Sequence, residues 1–285
     1  MKKEYVMGNS AIAIGALCSG VKVVAGYPGT PSTEIIETIY HVPHNDVHLE
    51  WSVNEKAALE LGAGAAYSGA RVLVTMKQVG LNVAADPLMS LEYIGVKGGM
   101  VILVADDPGP ISSQTEQDTR TFAAFSKVPC FDPSSVQEAY EMIQEAFAFS
   151  EQYGTPVFLR PTTRVCHGYA AVDVKSIEEY EVHRSEGFIR DTKRWVIFPR
   201  LSYQNHLKIE ERNEQMADEF SSYNRNKMIA APEAKKGIVS SGVSFTYVAE
   251  TLKGIENVKV LKIGTPFPFP EKLAVEFLSG LEEVL

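Results

Sequence analysis

Residues 47–76 read VHLEWSVNEKAALELGAGAAYSGARVLVTM, and the parsing of this stretch decides the fold. VHLEW (47–51) is a short apolar run that suits a strand. NEKAALELGAGAAYSG (54–69) is an alanine-rich helix pattern opened by an asparagine and closed by glycine. RVLVTM (71–76) is a second strand. Strand, helix and strand of this kind form one parallel crossover unit.

The same alternation extends on both sides. GNSAIAIGALCSG (8–20) is a helix with Asn9 or Ser10 as its cap and Gly20 as its stop, followed by the strand VKVVAGY (21–27) and the helix PSTEIIETIY (31–40). Downstream come the helix GLNVAADPLMSLEYIG (80–95), the strand GGMVILVAD (98–106), a polar loop and a short helix near DTRTFAAFS (118–126). A long amphipathic helix, SVQEAYEMIQEAFAFSEQYG (135–154), precedes the strand PVFLRPTTRV (156–165). Near-continuous apolar strands alternating with helices predict an α/β fold, a doubly wound and mainly parallel sheet covered on both faces. Residues 171–235 are charged and lose the alternation. They read as a linker or helical excursion, with an exposed helix over 206–226. From Lys236 the alternation returns through GIVSSG, VKVLKIG and EKLAVEFLSG, so residues 236–285 are expected to begin a second α/β unit that is cut short.

Composition narrows the function. The chain has 285 residues, with 45% hydrophobic, 22% charged and 9% aromatic residues, as in a globular protein. A net charge of −9 argues against a broad nucleic-acid or membrane-surface footprint. No apolar run reaches the roughly 18 residues of a membrane-spanning helix, and MKKEYVMGNS has no apolar signal core. A cytoplasmic location is expected. Cys18, Cys130 and Cys166 are scattered and form no CxxC pair, so buried reduced thiols are expected. HVPHNDVH (41–48) clusters His41, His44 and His48, but Pro43 breaks any helix there and no HExxH-type acid is present, so no metal site is read from it.

Ligands on such sheets sit beyond the carboxyl ends of the strands, and unusual residues collect there. GYPGTPSTE (26–34) fixes a rigid turn with Pro28, Gly29 and Pro31. The Thr30 and Ser32 hydroxyls lie near a helix N-terminus suited to an anion. Glu55 follows the 47–51 strand, Lys77 and Gln78 follow 71–76, and Asp106 and Asp107 lie at the end of the 98–106 strand and just beyond it. An acid in a first helical turn is ordinarily explained by the helix dipole. The small residues after Glu55 also let another surface approach closely, which suits a flat ligand. Glu50 reads as a structural or rim residue, and Phe267 and Phe269 as packing residues at a turn. SSQTEQDTR (112–120) is a polar loop in which Arg120 either pairs locally with Asp118 or Glu116 or clamps a carboxylate. There is no GxGxxG and no GxxxxGK[ST], so neither a dinucleotide nor a nucleoside triphosphate is indicated.

Taken in order, GYPGTPSTE, WSVNEKAALELGAGAAYSGAR (51–71), MKQVGLNVAADPL (76–88) and SSQTEQDTR resemble the N-terminal half of the alpha subunits of the thiamine-diphosphate-dependent 2-oxoacid:ferredoxin oxidoreductases, of the indolepyruvate type. The resemblance runs through about residues 5–170, and residues from 236 resemble the transketolase C-terminal-like domain of the same subunits. It implies that residues 1–170 form the pyrimidine-binding domain of a thiamine diphosphate enzyme. Glu55 then falls on the glutamate that shares a proton with ring nitrogen N1′ of the cofactor, which is general acid–base catalysis relayed through a cofactor. Such work needs a desolvated carboxyl. Tyr27, Pro28, Gly29, Lys77, Gln78, Gly80 and Asn82 are implied to line the cofactor pocket, with Gly80 letting the ring approach the backbone. Thr30 and Arg120 are implied to contact the 2-oxo acid. Neither the GDG of a diphosphate domain, which would hold magnesium, nor a cysteine-rich iron–sulfur segment occurs in the chain. The resemblance therefore implies a fragment, inactive alone. In the whole enzyme it would work with coenzyme A, ferredoxin and a beta subunit, as a homodimer packed through the small-residue helix. Another thiamine diphosphate enzyme of 2-oxo acids, or a non-catalytic domain of this type, is the alternative.

Overall fold

The apolar runs form strands whose side chains are buried on both faces, which is why they lack a polar alternation. In β4, Leu73 enters one core and Val72, Val74 and Met76 enter another; in β5, Val101, Leu103 and Ala105 oppose Met100, Ile102 and Val104 in the same way. A computed structural model describes residues 2–42 and 47–285. In chain order the first part runs β1 (Lys2–Met7), α1 (Gly8–Cys18), β2 (Val23–Gly26), α2 (Thr33–His41), β3 (His48–Trp51), α3 (Glu55–Tyr67), β4 (Val72–Lys77), α4 (Gly80–Ile94), β5 (Met100–Ala105), α5 (Thr119–Ser126), β6 (Cys130–Phe131), α6 (Val136–Tyr153), β7 (Val157–Leu159), α7 (Thr163–Cys166) and β8 (Tyr169–Val174). After them come α8 (Thr192–Trp195), α9 (Pro199–Phe220), β9 (Lys227–Ile229), β10 (Lys236–Ser241), α10 (Ser244–Thr251), β11 (Val258–Ile263), α11 (Glu271–Leu278) and β12 (Glu283–Val284).

The main sheet has six strands in the order β3-β2-β4-β5-β7-β6, all parallel. Helices α1, α2 and α6 pack on one face and α3, α4 and α5 on the other. The smallness of α3 serves this sheet directly, because a methyl group on Gly62 would come within 2.7 Å of the Val74 side chain. Gly64, by contrast, faces open space. The N-terminal segment, read from sequence only for its lack of a signal core, forms β1 and pairs antiparallel with β8. Helix α1 begins at Gly8 without a side-chain cap, since Asn9 and Ser10 bond to α2 and its approach instead.

The segment expected to be an exposed helical excursion differs from that expectation. Ile209, Asn213, Met216 and Phe220, spaced by four, three and four residues, bury one face of α9. Arg212 of α9 pairs with the buried Glu92 of α4, whose carboxyl burial nevertheless pushes up to about 7 against the opposing effects of Arg212 and Thr155. A second sheet has the order β12-β10-β11-β9, in which β9, upstream of Lys236, runs antiparallel to β11. This sheet docks on the edge strand β6, where the Cys130 amide donates to the Phe267 carbonyl at 2.8 Å. That contact covers an edge otherwise open to foreign strands.

Candidate functional site

The order β3-β2-β4 creates a reversal. The chain leaves β2 for β3 on one side, then returns past β2 to β4 on the other. The helices after β2 and β4 therefore pack on opposite faces of the sheet, and sheets of this kind form their ligand crevices at such a point. The loop after β2 holds Tyr27, Pro28 and Thr30, all exposed, and Gly29, half-buried. The Thr30–Pro31 peptide is cis. Of the two hydroxyls expected to favour an anion, that of Ser32 is used by the turn itself, as is that of Thr33. The Gly29 amide donates to Thr33 Oγ1 at 2.8 Å, and the Ser32 amide and Oγ both donate to the Gly29 carbonyl at 2.9 and 3.0 Å. Asn9 Nδ2 pins the loop by donating to the Pro31 carbonyl at 2.7 Å and to Glu34 at 2.8 Å. Thr30 keeps its hydroxyl free of bonds among the described residues. The Lys77 stem lies over Gly29, where a methyl group would come within 3.0 Å of Lys77 Cδ. The end of β4 thus touches the loop after β2.

Glu55 is the first residue of α3 and only 6% exposed. Asn54 caps the helix by accepting the Ala57 amide at 2.9 Å, so Glu55 is not the capping group. Its carboxyl lies against Gly80, the first residue of α4. A methyl group there would come within 2.7 Å of Glu55 Cγ and 2.8 Å of Cδ. Among the described residues the Glu55 carboxyl has no hydrogen-bond or ion-pair partner. Sequence reasoning reserved the space at Gly80 for a ligand ring, but the Glu55 side chain occupies it.

Two further buried atoms near this point are unsatisfied. Gln78 is fully buried, its Nε2 donates to the Thr115 carbonyl at 3.1 Å, and its Oε1 has no partner. Thr75 Oγ1, against Gly26, has none either. Buried polar atoms are nearly always bonded, so these acceptors and the lone carboxyl are what a polar, flat ligand would satisfy. Asn82 is committed elsewhere. It exchanges two hydrogen bonds with Gln117, at 2.8 and 3.1 Å, which ties the polar loop to α4.

Arg120 takes the local pairing. Its Nε and Nη2 donate to the Asp118 carboxylate at 2.9 and 2.7 Å, and Nη1 reaches Ser241 Oγ of the second sheet at 2.7 Å. With Val239, Ser244, Ile263 and Phe269 it borders a groove of about 360 Å³ between the two sheets. Beside it lies a charge cluster that no sequence motif announced. Arg160, after β7, donates to Asp106 at 2.7 Å and to Asp132 at 3.3 Å, with all three residues buried. Thr119 adds its amide and hydroxyl to Asp106 at 3.0 and 2.5 Å. Asp107 accepts the amides of Ile111, Ser112 and Ser113 and the Thr163 hydroxyl. Burial pushes that carboxyl up, but these donors outweigh it and hold it at about 2. Asp132 is raised by burial despite Arg160 and Arg120. The sequence hints were the Asp106-Asp107 pair at a strand end and an arginine directly after an apolar run, at Phe158-Leu159-Arg160.

The remaining expectations have plain outcomes. Among the described residues Glu50 bonds to Ser52 and His48 at the sheet edge. His44 lies outside the described residues. Among those described, no group of three or more His, Cys, Asp or Glu is arranged to hold a metal ion. No described helix is long and apolar enough to cross a membrane. The three cysteines are free and buried.

Comparison with known proteins bears on this geometry. The model of a family described as pyruvate flavodoxin/ferredoxin oxidoreductase, thiamine diphosphate-binding, matches residues 14–238. The chain is 45% identical to the indolepyruvate oxidoreductase subunit IorA of Pyrococcus abyssi over 290 aligned residues, covering 100% of this chain and 45% of that one. The corresponding subunit of Archaeoglobus fulgidus is 39% identical, with 46% of it covered. The ketoisovalerate oxidoreductase subunit VorB of Methanothermobacter thermautotrophicus is 26% identical, with 98% of this chain and 84% of that one covered. The chain thus spans about half the length of the IorA relatives it matches. A solved 2-oxoglutarate:ferredoxin oxidoreductase from Magnetococcus marinus superposes with a TM-score of 0.80 over 99% of this chain and 57% of that chain, at 16% identity, a likeness of fold.

Proposed function

Because the chain belongs to the pyruvate flavodoxin/ferredoxin oxidoreductase family of thiamine-diphosphate-binding domains, we propose that its switch-point crevice receives the aminopyrimidine ring of thiamine diphosphate with Glu55 as the partner of ring nitrogen N1′. The observation that carries this reading is the buried Glu55 carboxyl, partnerless among the described residues, at the reversal of the sheet. Gln78 Oε1 is a second acceptor suited to a ring amino group. On this reading Tyr27, Pro28 and Gly29 after β2, Lys77 at the end of β4, and Gly80 and Asn82 of α4 would line the pocket. Glu55 holds or releases a proton at N1′, which is its whole chemical task. Thiamine diphosphate, when bound, supplies the carbon nucleophile that adds to the ketone of a 2-oxo acid.

The substrate proposed is an aryl 2-oxo acid of the indolepyruvate type, oxidatively decarboxylated to an acyl-coenzyme A with ferredoxin as electron acceptor. The relatives named for indolepyruvate are 39–45% identical, against 26% for the ketoisovalerate subunit. Thr30, exposed and unbonded, and Arg120, through N–H groups left over from Asp118 and Ser241, are the proposed carboxylate contacts. On this reading residues 1–170 are the pyrimidine side of the site, 171–235 the connection, and 236–285 a unit related to transketolase C-terminal domains. The diphosphate, its Mg²⁺ and the iron–sulfur clusters would be held by sequence corresponding to the other half of the relatives. A beta subunit, a homodimer through α3 and a cytoplasmic setting complete the proposal.

The test uses the full-length protein with its partner subunit. Glu55→Gln should lower aryl-2-oxo-acid-dependent ferredoxin reduction by roughly 100-fold or more. It should slow exchange of the cofactor C2 proton, followed by NMR, to a similar degree. Wild-type rates in that variant would remove Glu55 from the chemistry.

A further inference from the structure

We propose that Gly80 is the positioning residue for the Glu55 carboxyl, an inference that rests on the reading of Glu55 given above. The glycine has no conformational reason to be there. Gly80 is absent from the positive-φ glycines, so an L residue fits its backbone. It opens α4, where alanine is the better helix former. What excludes a side chain is Glu55, whose Cγ and Cδ lie 2.7 and 2.8 Å from where a methyl group would stand.

The contact bears directly on where the carboxyl sits, because no hydrogen bond or ion pair among the described residues fixes it. The Gly80 side of the contact is anchored. The Gln78 amide donates to the Ala105 carbonyl at 3.1 Å, the Leu81 amide to the Gln78 carbonyl at 3.2 Å and the Asn82 amide to the Val79 carbonyl at 3.2 Å. The Gln78 side chain is held by Thr115. A methyl group at position 80 therefore meets a fixed backbone on its own side and the end of a flexible side chain on the other. The side chain is what yields. Gly80→Ala should fold normally and turn the Glu55 carboxyl away from the crevice, leaving the acid present but misplaced.

The experiment is a double-mutant cycle of Gly80→Ala and Glu55→Gln in the full-length protein with its partner subunit. C2-proton exchange of added thiamine diphosphate and KM for the aryl 2-oxo acid are both measured. The expected result for Gly80→Ala is exchange slowed at least tenfold with KM unchanged, and no further loss when it is added to Glu55→Gln. Wild-type exchange in Gly80→Ala, or an equal loss in both backgrounds, would overturn the inference. If Glu55→Gln itself exchanges like wild type, the reading of Glu55 has failed, and a thermal-unfolding cycle then tests the contact alone. There, Gly80→Ala should raise Tm more in a Glu55→Ala background than in wild type. Equal shifts would overturn it.

Discussion

Two groups of buried charge lie at the carboxyl ends of strands in the same sheet, and they are built in opposite ways. Around Arg160, each charge has an opposite charge or several donors: Asp106 has Arg160 and Thr119, Asp132 has Arg160, and Asp107 has three amides and a hydroxyl. Near Glu55, Gln78 Oε1 and Thr75 Oγ1 are buried without partners, and the Glu55 carboxyl, its oxygens still touched by solvent, has no protein partner among the described residues. A satisfied network holds structure together. It sits where the second sheet docks, with Gly242 against Asp132 and Ser241 bonded to Arg120. A buried unsatisfied atom such as Gln78 Oε1 or Thr75 Oγ1 costs stability and persists where a ligand completes it. Buried charge at a strand end is therefore no guide to function until its bonds are counted.

The contrast predicts a graded series of effects. The largest belongs to Arg160→Leu, which strands Asp106 and Asp132 in the interior. It should destabilise the protein by about 3–5 kcal/mol in denaturant unfolding; a loss below about 1 kcal/mol would mean that the cluster is not the joint described. A smaller, pH-dependent loss belongs to Asp107. Its folded-state carboxyl is held at about 2, below the ordinary value, so its contribution is present above about pH 4 and disappears as pH falls towards 2. Asp107→Asn should flatten the acid limb of a Tm-against-pH curve over that window. Asn54→Ala removes the cap of α3 and should cost about 1 kcal/mol, which is the structural contribution at the Glu55 corner. The smallest effect is the most telling. Glu55→Gln should change stability by less than about 0.5 kcal/mol, because the carboxyl makes no bond to lose. A destabilisation like that of Arg160→Leu would erase the distinction between the two groups.

Much of this was legible before folding was considered. The apolar runs and caps between residues 8 and 165 were enough to assign a parallel sheet, because a strand buried on both faces has no polar alternation to misread. The residues proposed for the crevice came from four ordered motifs. Less legible were β1, whose charged alternation looks like a tail until β8 pairs with it, and α9, whose apolar positions are sparse among charges. Arg160 was passed over because nothing local marks an arginine whose partners lie 28 and 54 positions away.

The sequence by itself determined the fold class, the strand ends and the acid at position 55, since each depends on local periodicity, capping or chain order. Only the tertiary structure decided which of those residues meet. Glu55 rests on Gly80 rather than waiting in open solvent, Asn82 is taken by Gln117, and Arg120 turns to Asp118 and to a serine 121 positions away. The physical reason is that strand order and close packing fix distances between segments, whereas periodicity fixes only which face of a segment is turned inward.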